Sequence, residues 1–262
     1  MITIKTDEEV ELLRKAGKIV YQTHQYLKSK LRAGMTTDEI DRLAHDFILS
    51  KDAIPSFLNY EGFPKTVCIS INDEVVHGIP GNRVIKKGDL ISIDIGACYK
   101  GYHGDSAWTY YIGSNPPSDI KRLMEGTEKA LYSGINEVKE GNRICDISRA
   151  VEECAKKYNL SVVRELVGHG VGKDVHEAPD VPNFVTNFKG PMLKAGMVIA
   201  IEPMLNLGTR FVVLEDNDWT VSTYDGKPSA HYEHTVLVTK DGYEILTGEW
   251  LDGKRWCNWD GR

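Results

Sequence analysis

The sequence predicts an α+β protein in which helices cover one side of a β-sheet. Its 262 residues contain four segments with helical periodicity and several short runs rich in Ile, Val and Tyr. The order along the chain is two helices, a group of strands, two more helices and a second group of strands. Helices and strands that are segregated in this way are typical of α+β folds. The length suits one large domain or two small ones, and no linker-like segment marks a boundary.

Two capping boxes mark the first two helices. Thr6 with Glu9, and Thr36 with Glu39, each precede apolar residues at helical spacing, and this pattern is typical of a helix N-terminus. Gly34 is expected to end the first of these helices. Two further helices are predicted over residues 118–138 and 144–157, the first with Ser118 as its N-cap.

The strand-like runs are short and bounded by turn residues. Their content of Ile, Val and Tyr favours strands over helices. They cover residues 66–72, 89–97, 106–112, 161–167, 197–204 and 235–239.

Composition and charge exclude several classes of protein. The chain has 32 basic and 38 acidic residues and lacks a run of five or six Lys or Arg, which argues against a nucleic-acid binder. No stretch approaches the ~18 apolar residues of a membrane-spanning helix, and the first ten residues do not resemble a secretory signal. Five cysteines without a C-x-x-C pair indicate reduced thiols, so we expect a cytoplasmic protein that contacts neither nucleic acid nor membrane.

A faint internal repeat divides the chain into two halves. Each half has a His-Gly pair, then a glycine followed six residues later by a carboxylate at the end of an apolar run. These carboxylates are Asp94 and Glu202, and the histidines are His77 and His169. The repeat predicts two similar halves that meet at a seam lined with acidic strand ends.

Five side chains are predicted to converge at this seam. Asp94 and Glu202 lie in apolar runs, where a charged carboxylate is costly unless it is paired or binds a metal. A hairpin turning at residues 99 and 100 would place Asp94 opposite Asp105, and the strand after Glu233 can pair with the strand of Glu202. His169 lies between glycines after a further apolar run. Four carboxylates and one imidazole suit two divalent first-row ions.

Simpler interpretations remain open for single residues. One carboxylate at a strand end is more often a turn cap or an ion-pair partner than a metal ligand. His24, His45 and His103 are interpreted as surface or core histidines, and His231 and His234 as supports of Glu233. Without further information, the aromatic residues that precede the first strand group would be assigned to the core.

Several motifs together resemble those of type I methionine aminopeptidases. The resemblance runs from near the N-terminus to about residue 247 and implies a "pita-bread" fold, with two pseudo-symmetric halves and helices packed on a curved antiparallel sheet. It also implies one catalytic domain over residues 1–250, followed by a short tail over 251–262. The motifs are residues 62–72, 76–80, 168–172, 176–179, 201–204 and 231–235.

The resemblance also implies roles for individual residues. Two divalent ions (Co, Mn, Fe, Zn or Ni) would be held by the metal ligands Asp94, Asp105, His169, Glu202 and Glu233. His77, His176 and Glu202 match the catalytic residues. The substrate-binding residues would be Phe57, Tyr60, Phe63, His77, His176 and Trp219.

The resemblance implies removal of the initiator methionine from new polypeptides, with a preference for a small second residue. By hypothesis, the two ions lower the pKa of a bridging water that attacks the scissile carbonyl. Glu202 would accept its proton, and His176 would hydrogen-bond the carbonyl oxygen. His77 would contact the scissile amide nitrogen or the backbone of the second residue. Nascent polypeptide N-termini are the expected partners, together with the ribosome, and the expected oligomeric state is a monomer.

Three features depart from the family pattern or lie outside it. Phe57 stands where many members have Cys, and Val175 where many have an aromatic residue. The tail holds Trp250, Trp256 and Trp259, which would pack on the protein or, less favourably, dock a partner. The alternative functions are an X-Pro aminopeptidase or prolidase, and a non-catalytic binding protein of the same fold.

Overall fold

The computed structural model describes residues 1–251 and 254–255, and it combines four α-helices with short antiparallel strands. The helices are α1 (Asp7–Lys30), α2 (Thr37–Leu49), α3 (Ser118–Ile135) and α4 (Ile144–Lys157), with a 3₁₀ turn at Tyr60–Gly62. The strands of the first half are β1 (Ile54–Pro55), β2 (Val67–Ile71), β3 (Glu74–Val76), β4 (Leu90–Tyr99) and β5 (Tyr102–Tyr111). Those of the second half begin with β6 (Ser161–Val162), β7 (Gly168–Gly170), β8 (Glu177–Val181), β9 (Val198–Ile201), β10 (Met204–Asn206) and β11 (Val212–Leu214). They continue with β12 (Val221–Thr223), β13 (Ser229–His231), β14 (His234–Thr239), β15 (Gly242–Ile245), β16 (Trp250–Leu251) and β17 (Lys254–Arg255).

Among the residues that the structure describes, none of the helices combines the length and the apolar character that crossing a bilayer requires. The division of the chain at residue 250 stays a prediction. The side chains of Trp250, Trp256 and Trp259, to which the sequence assigned a packing or docking role, lie outside the described part of the structure.

All four predicted helices are present, but three details differ. The third helix ends at Ile135 and not at 138, the first ends at Lys30, before Gly34, and one N-cap is different. The backbone N–H of Glu9 donates to Thr6 Oγ1, and the N–H of Thr6 donates to the Glu9 carboxylate, which completes the capping box of α1. The box before α2 is formed in the same way. The helix α3 starts at Ser118 itself, after Pro117, so the prediction that Ser118 is the N-cap is wrong. A proline just before the first turn ends the extended chain there, since its φ already suits a helix.

Each half of the chain folds as two helices on an antiparallel sheet. In the first half, β4 pairs with β1, β2 and β5. In the second half the strand order is β15-β14-β9-β7-β8. Ile40 of α2 and Ile93 of β4 belong to one buried apolar cluster, whereas Val151 of α4 and Ile199 of β9 belong to another. The two-half organisation expected from the repeat is therefore present.

Buried hydrogen bonds join the two halves along β5. The backbone N–H of Glu233 donates to the carbonyl of Ala107 at 2.8 Å. Thr235 Oγ1 donates to the carbonyl of Asp105 at 2.7 Å and accepts from the Asp105 N–H at 3.0 Å. Ser106 Oγ donates to the carbonyl of Glu233 at 2.6 Å. These bonds fix the backbones of two acidic residues from different halves next to each other.

The β4–β5 hairpin has a different register from the predicted one. Lys100 and Gly101 form its two-residue turn, both with positive φ, and Asp94 lies opposite Ala107 while Asp105 lies opposite Gly96. Asp94 is also in the middle of β4 and not at its end. A two-residue turn with both residues at positive φ matches the twist of the strands. The two aspartates are therefore diagonal neighbours on the same face of the hairpin.

Helix α1 packs closely against the sheet at Gly17. A Cβ added to Gly17 would overlap the carbonyl oxygen of Leu246, and one added to Gly104 of β5 would lie 2.7 Å from the Gly17 nitrogen. We therefore expect Gly17→Ala to lower the free energy of unfolding by roughly 1–3 kcal/mol, the usual cost of overpacking. Urea denaturation would measure it. The control is Gly81→Ala, where no atom lies within 4 Å of the added Cβ; equal stability of the two variants would contradict this account.

Candidate metal centre and substrate cavity

One cavity of about 180 Å³ between the halves collects every residue that the sequence and the resemblance assigned to the site. It is lined by Phe57, Tyr60, Phe63, His77, Asp94, Asp105, His169, His176, Glu202, Trp219 and Glu233. Further lining comes from residues that were not predicted to belong to the site itself, among them Glu61, Cys68 and His231. These side chains come from positions as far apart as 57 and 233, so only the folded chain can assemble this surface.

The five predicted metal ligands come from five strands or strand ends. Asp94 lies in β4, Asp105 in β5 and His169 in β7, while Glu202 directly follows β9 and Glu233 directly precedes β14. The pairing of His234 in β14 with Ile201 in β9 brings the two glutamates together, as the sequence predicted. Asp105, His169 and Glu233 are 3%, 8% and 2% exposed, so water cannot solvate their charges well.

The donor atoms of this group lie within reach of a shared cation. His169 Nε2 is 3.4 Å from Glu202 Oε1 and 3.9 Å from Asp105 Oδ2. One ligand atom from each of Asp105, His169 and Glu233 lies within 4.8 Å of the others. His169 Nδ1 lies 2.9 Å from the carbonyl oxygen of Gly170 and therefore donates to it. In a neutral ring this leaves the lone pair on Nε2 facing the carboxylates, which is the usual arrangement of a metal-binding histidine.

The carboxylates destabilise one another in the absence of a cation. Burial raises the pKa of Asp94 to about 7, although a hydrogen bond with Asp105 opposes the shift. Burial and the charge of Asp94 raise the pKa values of Asp105 and Glu202 well above normal, and burial with the charge of Asp105 does the same for Glu233. One buried oxygen each of Asp94, Asp105 and Glu233 also lacks a hydrogen-bond partner among the residues that the structure describes. Because carboxylate oxygens with one imidazole suit first-row divalent ions, the residues present fit such ions.

The histidines of the cavity are neutral at physiological pH. Burial lowers the pKa of His169 and His231 to about 3 and that of His77 to about 4. Burial also lowers the pKa of His176, which is more open to solvent. Neutral imidazoles keep one N–H and one lone pair each, so they can donate a hydrogen bond or bind a metal.

His77 is held in a constrained backbone conformation. Its φ is 60°, a region that L-residues with a Cβ rarely adopt. The next residue fixes it: the Gly78 N–H donates to Ser70 Oγ at 3.2 Å, and the Gly78 carbonyl accepts from the Ile69 N–H at 2.8 Å. Thr220 Oγ1 donates to the carbonyl of His77 at 3.4 Å. Backbone strain of this kind is common at functional sites.

An apolar wall closes one side of the cavity. Phe57, Phe63, Cys68 and Val175 are buried in one cluster, against which Tyr60 and Trp219 pack. The rings of Phe63 and Trp219 meet edge to face, with centroids 5.1 Å apart. The two departures from the family pattern, Phe57 and Val175, are thus members of the same cluster. Phe57 is larger and Val175 is smaller than the residues that many family members have at these positions, so together they keep this wall filled.

The structure adds two polar residues to the cavity. His231 Nε2 is 3.9 Å from both Glu202 Oε2 and Glu233 Oε2 and has no hydrogen-bond partner. Cys68 lies opposite Asp94 in the β2–β4 pairing. The sequence alone assigns His231 to the support of Glu233 and counts Cys68 among the reduced thiols. The position of His231 two residues before Glu233, on the same face of an extended chain, could have indicated its proximity.

The interpretation of the other histidines as surface or core residues agrees with their contacts. His24 is buried, its Nε2 lies 2.9 Å from the carbonyl of Ser106, and its ring stacks on Trp108. His103 Nδ1 lies 2.8 Å from Ser56 Oγ, and His45 lies beside Asp46. A larger groove of about 850 Å³ lies between α1 and α3, but Glu233 and His234 are the only site-related residues among its described lining.

Comparisons with known proteins place the chain in a family. The model of metallopeptidase family M24 matches residues 11–240. Methionine aminopeptidase 1 of Bacillus subtilis is 52% identical over 94% of this chain and 99% of its own length. The crystal structure of methionine aminopeptidase from Rickettsia prowazekii superposes with a TM-score of 0.92, at 40% identity, over 95% of this chain and 100% of that one.

More distant structures share the fold alone. Prolidase from Pyrococcus furiosus has a TM-score of 0.72 at 24% identity, and the match covers 95% of this chain and 66% of that one. The high identity to methionine aminopeptidases extends over nearly the whole chain, whereas the likeness to prolidase is structural. The chain therefore belongs to metallopeptidase family M24, and within that family to the methionine aminopeptidases.

Proposed function

We propose that the protein is a metal-dependent aminopeptidase that removes the N-terminal methionine from polypeptides. The observation that carries this proposal is the cavity between the two halves, where an acidic metal-binding group lies beside an apolar, aromatic wall. The names of the relatives and of the matched structure support the same activity. The acidic group suits hydrolysis, and the wall suits a methionine side chain.

Two divalent ions would be held by the side chains of Asp94, Asp105, His169, Glu202 and Glu233. Bound ions of this kind supply Lewis acidity and lower the pKa of a water molecule to about 7. The raised pKa values of the four carboxyls, and the unpaired oxygens of three of them, support this assignment. Which metal is used in the cell depends on availability as well as on the ligands.

Glu202 is proposed as the general base and acid. It lines the cavity at the end of β9, with Oε1 near His169 and Oε2 near His231. From there its carboxylate can accept a proton from the attacking water and return it to the leaving amine. General acid–base catalysis of this kind contributes about 10²–10⁴-fold to the rate.

His176 and His77 are proposed to bind the scissile peptide group. His176 lies at the mouth of the cavity, where a neutral imidazole can donate a hydrogen bond to the carbonyl oxygen as negative charge develops. Such donors are worth about 10²–10³-fold in kcat. His77, also neutral, would contact the nitrogen of the same peptide group.

The apolar wall is proposed to select methionine. A thioether side chain is flexible and makes favourable contacts with aromatic rings such as Phe63 and Trp219. The small volume of the cavity favours binding of a single side chain, that of the N-terminal residue of a peptide substrate. The preference for a small second residue stays a prediction, as do contact with the ribosome, a monomeric state and a cytoplasmic location.

A peptide panel tests the proposal. The purified protein, supplied with Mn²⁺ or Co²⁺, is expected to release Met from Met-Ala-Ser and Met-Gly-type peptides but not to cleave Ala-Pro. Replacing the first Met by Leu or Ala is expected to lower kcat/KM, because those side chains fill the wall less well. Release of the first residue is followed by chromatography. Cleavage of Ala-Pro without cleavage of Met-Ala-Ser would favour the X-Pro alternative.

Neither alternative function is favoured. The X-Pro enzymes and prolidases are similar in fold only, at 22–24% identity. A non-catalytic protein of this fold would be expected to have lost ligands, whereas all five predicted ligand residues are present and line one cavity.

A further inference from the structure

We propose that Tyr60 positions His176 for catalysis. The apolar wall that binds the side chain of the first substrate residue would then also orient His176, the hydrogen-bond donor to the scissile carbonyl. The proposal rests on the proposed function, which assigns that donor role to His176. It adds a second role to Tyr60, which otherwise serves only as part of the methionine wall. Tyr60 acts through His176 and is therefore a positioning residue.

The geometry of the pair carries the proposal. Tyr60 Oη lies 3.0 Å from His176 Nδ1, and the ring centroids are 5.3 Å apart at an angle of 46°. If the phenol donates to Nδ1, the neutral imidazole carries its proton on Nε2. Nε2 is on the side of the ring away from Tyr60, so its N–H is free to donate to a substrate carbonyl. If Nδ1 instead donated to the phenol oxygen, Nε2 would be an acceptor and could not donate to a developing oxyanion.

His176 has a second contact that limits its ring orientations. Its ring meets that of His169 edge to face, with centroids 4.1 Å apart. The ring is thus held between a proposed metal ligand on one side and the phenol of Tyr60 on the other. No other side-chain hydrogen bond of His176 is present among the described residues. Loss of the phenol would therefore leave the contact with His169 but remove the hydrogen bond that sets the orientation of this ring.

Backbone hydrogen bonds close the turn that carries Tyr60. Asn59 and Glu61, on either side, have φ values of 67° and 49°, and such conformations persist only where the surroundings enforce them. The Asn59 N–H donates to the Phe63 carbonyl at 2.8 Å, and the Phe63 N–H donates to the Tyr60 carbonyl at 2.9 Å. These two bonds close the turn on both sides of Tyr60.

The same apolar cluster anchors both partners. Val175, next to His176, is 1% exposed and packs with Phe57 and Phe63, and Tyr60 packs against this cluster. The side chain of the first substrate residue, when it packs against the apolar wall, would therefore also contact Tyr60, which holds His176. It follows that discrimination between Met and other first residues has a kcat component that passes through Tyr60, in addition to a binding component.

Tyr60→Phe tests the proposal, because it removes the hydroxyl and keeps the aromatic ring. We expect kcat for a Met-Ala-Ser peptide to fall by about threefold to tenfold, the range for one hydrogen bond, with little change in KM. In a His176→Ala background the same substitution should have no further effect on kcat, since the two changes remove one interaction. Tyr102→Phe is the matched control; its hydroxyl donates to Glu9 Oε1 at 2.7 Å, outside the cavity.

Two kinetic results would overturn the proposal. One is a Tyr60→Phe enzyme with the wild-type kcat. The other is an equal loss of kcat in the wild-type and His176→Ala backgrounds, because Tyr60 would then act only as part of the wall.

Nitrogen NMR of the zinc-loaded protein gives a readout that does not need turnover. The wild type and Tyr102→Phe are expected to show His176 protonated at Nε2, with a hydrogen-bonded Nδ1, and Tyr60→Phe should shift the Nδ1 resonance. Unchanged resonances in Tyr60→Phe would overturn the proposal. If these shifts occur but the wild type cleaves no peptide, the proposed function fails and the Tyr60–His176 contact stands.

Discussion

Replacing Glu202 by Gln is expected to lower kcat for a Met-Gly-type peptide by about 10²–10⁴-fold, the range for the loss of a general base. Glutamine keeps the size of the side chain but cannot accept the proton of the attacking water. The fold should survive, because the substitution removes one of four crowded acidic groups whose burial and mutual repulsion raise their pKa values. Steady-state kinetics and circular dichroism measure the two outcomes.

The metal content of Glu202→Gln has to be measured, because Glu202 is also a proposed ligand. Assays in saturating Mn²⁺, with the bound metal determined by mass spectrometry, separate a lost base from a lost ion. Glu153→Gln, an exposed position on α4, makes the same chemical change away from the cavity and should keep the wild-type rate. A Glu202→Gln enzyme with normal kcat would remove this residue from the mechanism.

Removing the metal with a chelator is expected to abolish activity and to lower the melting temperature. Mn²⁺, Co²⁺ or Fe²⁺ should restore both. An ion that binds only the folded state stabilises it by about 2.7 kcal/mol at a free concentration of 100 times Kd. Differential scanning fluorimetry with and without the chelator measures this shift. Activity that persists after complete removal of metal would contradict the assignment of the whole site.

Above the ordinary pKa of histidine, about 6.5, the stability of the metal-free protein should decrease as the pH rises. At lower pH the buried histidines, whose pKa values are lowered, have the opposite effect. The folded state raises the pKa of Asp94 to about 7, whereas the unfolded value is about 3.9. Between these two values the folded state binds more protons than the unfolded state, so the free energy of unfolding falls with increasing pH. Asp105, Glu202 and Glu233 are shifted in the same direction. The gain on adding metal should therefore be larger at pH ~8 than at pH ~6, and the opposite order would contradict this account.

Local sequence patterns predicted the helices well because the determinants are local. The capping residues Thr6 and Glu9 are three positions apart, and their hydrogen bonds depend on little else. The bounds of α4 agree with the predicted range of 144–157. Each of the six predicted runs contains a strand, because branched and aromatic residues favour strands. The short strands at 54–55, 74–76, 168–170, 177–181, 212–214, 221–223, 229–231 and 242–245 were not predicted.

The hairpin register could not be derived from hydrophobic pattern alone. A turn at Tyr99 and Lys100 and a turn at Lys100 and Gly101 both connect the same strands, and only the second gives positive φ at a glycine. The choice places Asp94 opposite Ala107 and not opposite Asp105. Side chains of both aspartates still share one face, because the shift is two residues and the period of a strand is two.

The candidate site was predicted by a different route from the fold. Asp94 and Glu202 were conspicuous because acidic residues rarely occur in apolar runs, and this indication needs no knowledge of the fold. His176 and Trp219 had no such indication in the sequence; only the resemblance to a family pointed to them. His231 needed three-dimensional proximity, because its Nε2 is near Glu202, which is 29 positions away in the chain.

The hydrogen bonds of Ser106 and Thr235 across the interface have a consequence for biogenesis. During synthesis the N-terminal half leaves the ribosome with only Asp94 and Asp105, while the remaining donors follow between positions 169 and 233. A partly synthesised chain therefore holds two acidic groups without their partners and cannot chelate a cation tightly. We therefore expect the enzyme to gain its metal, and with it the ability to cut other new chains, only after its own synthesis has passed beyond β14.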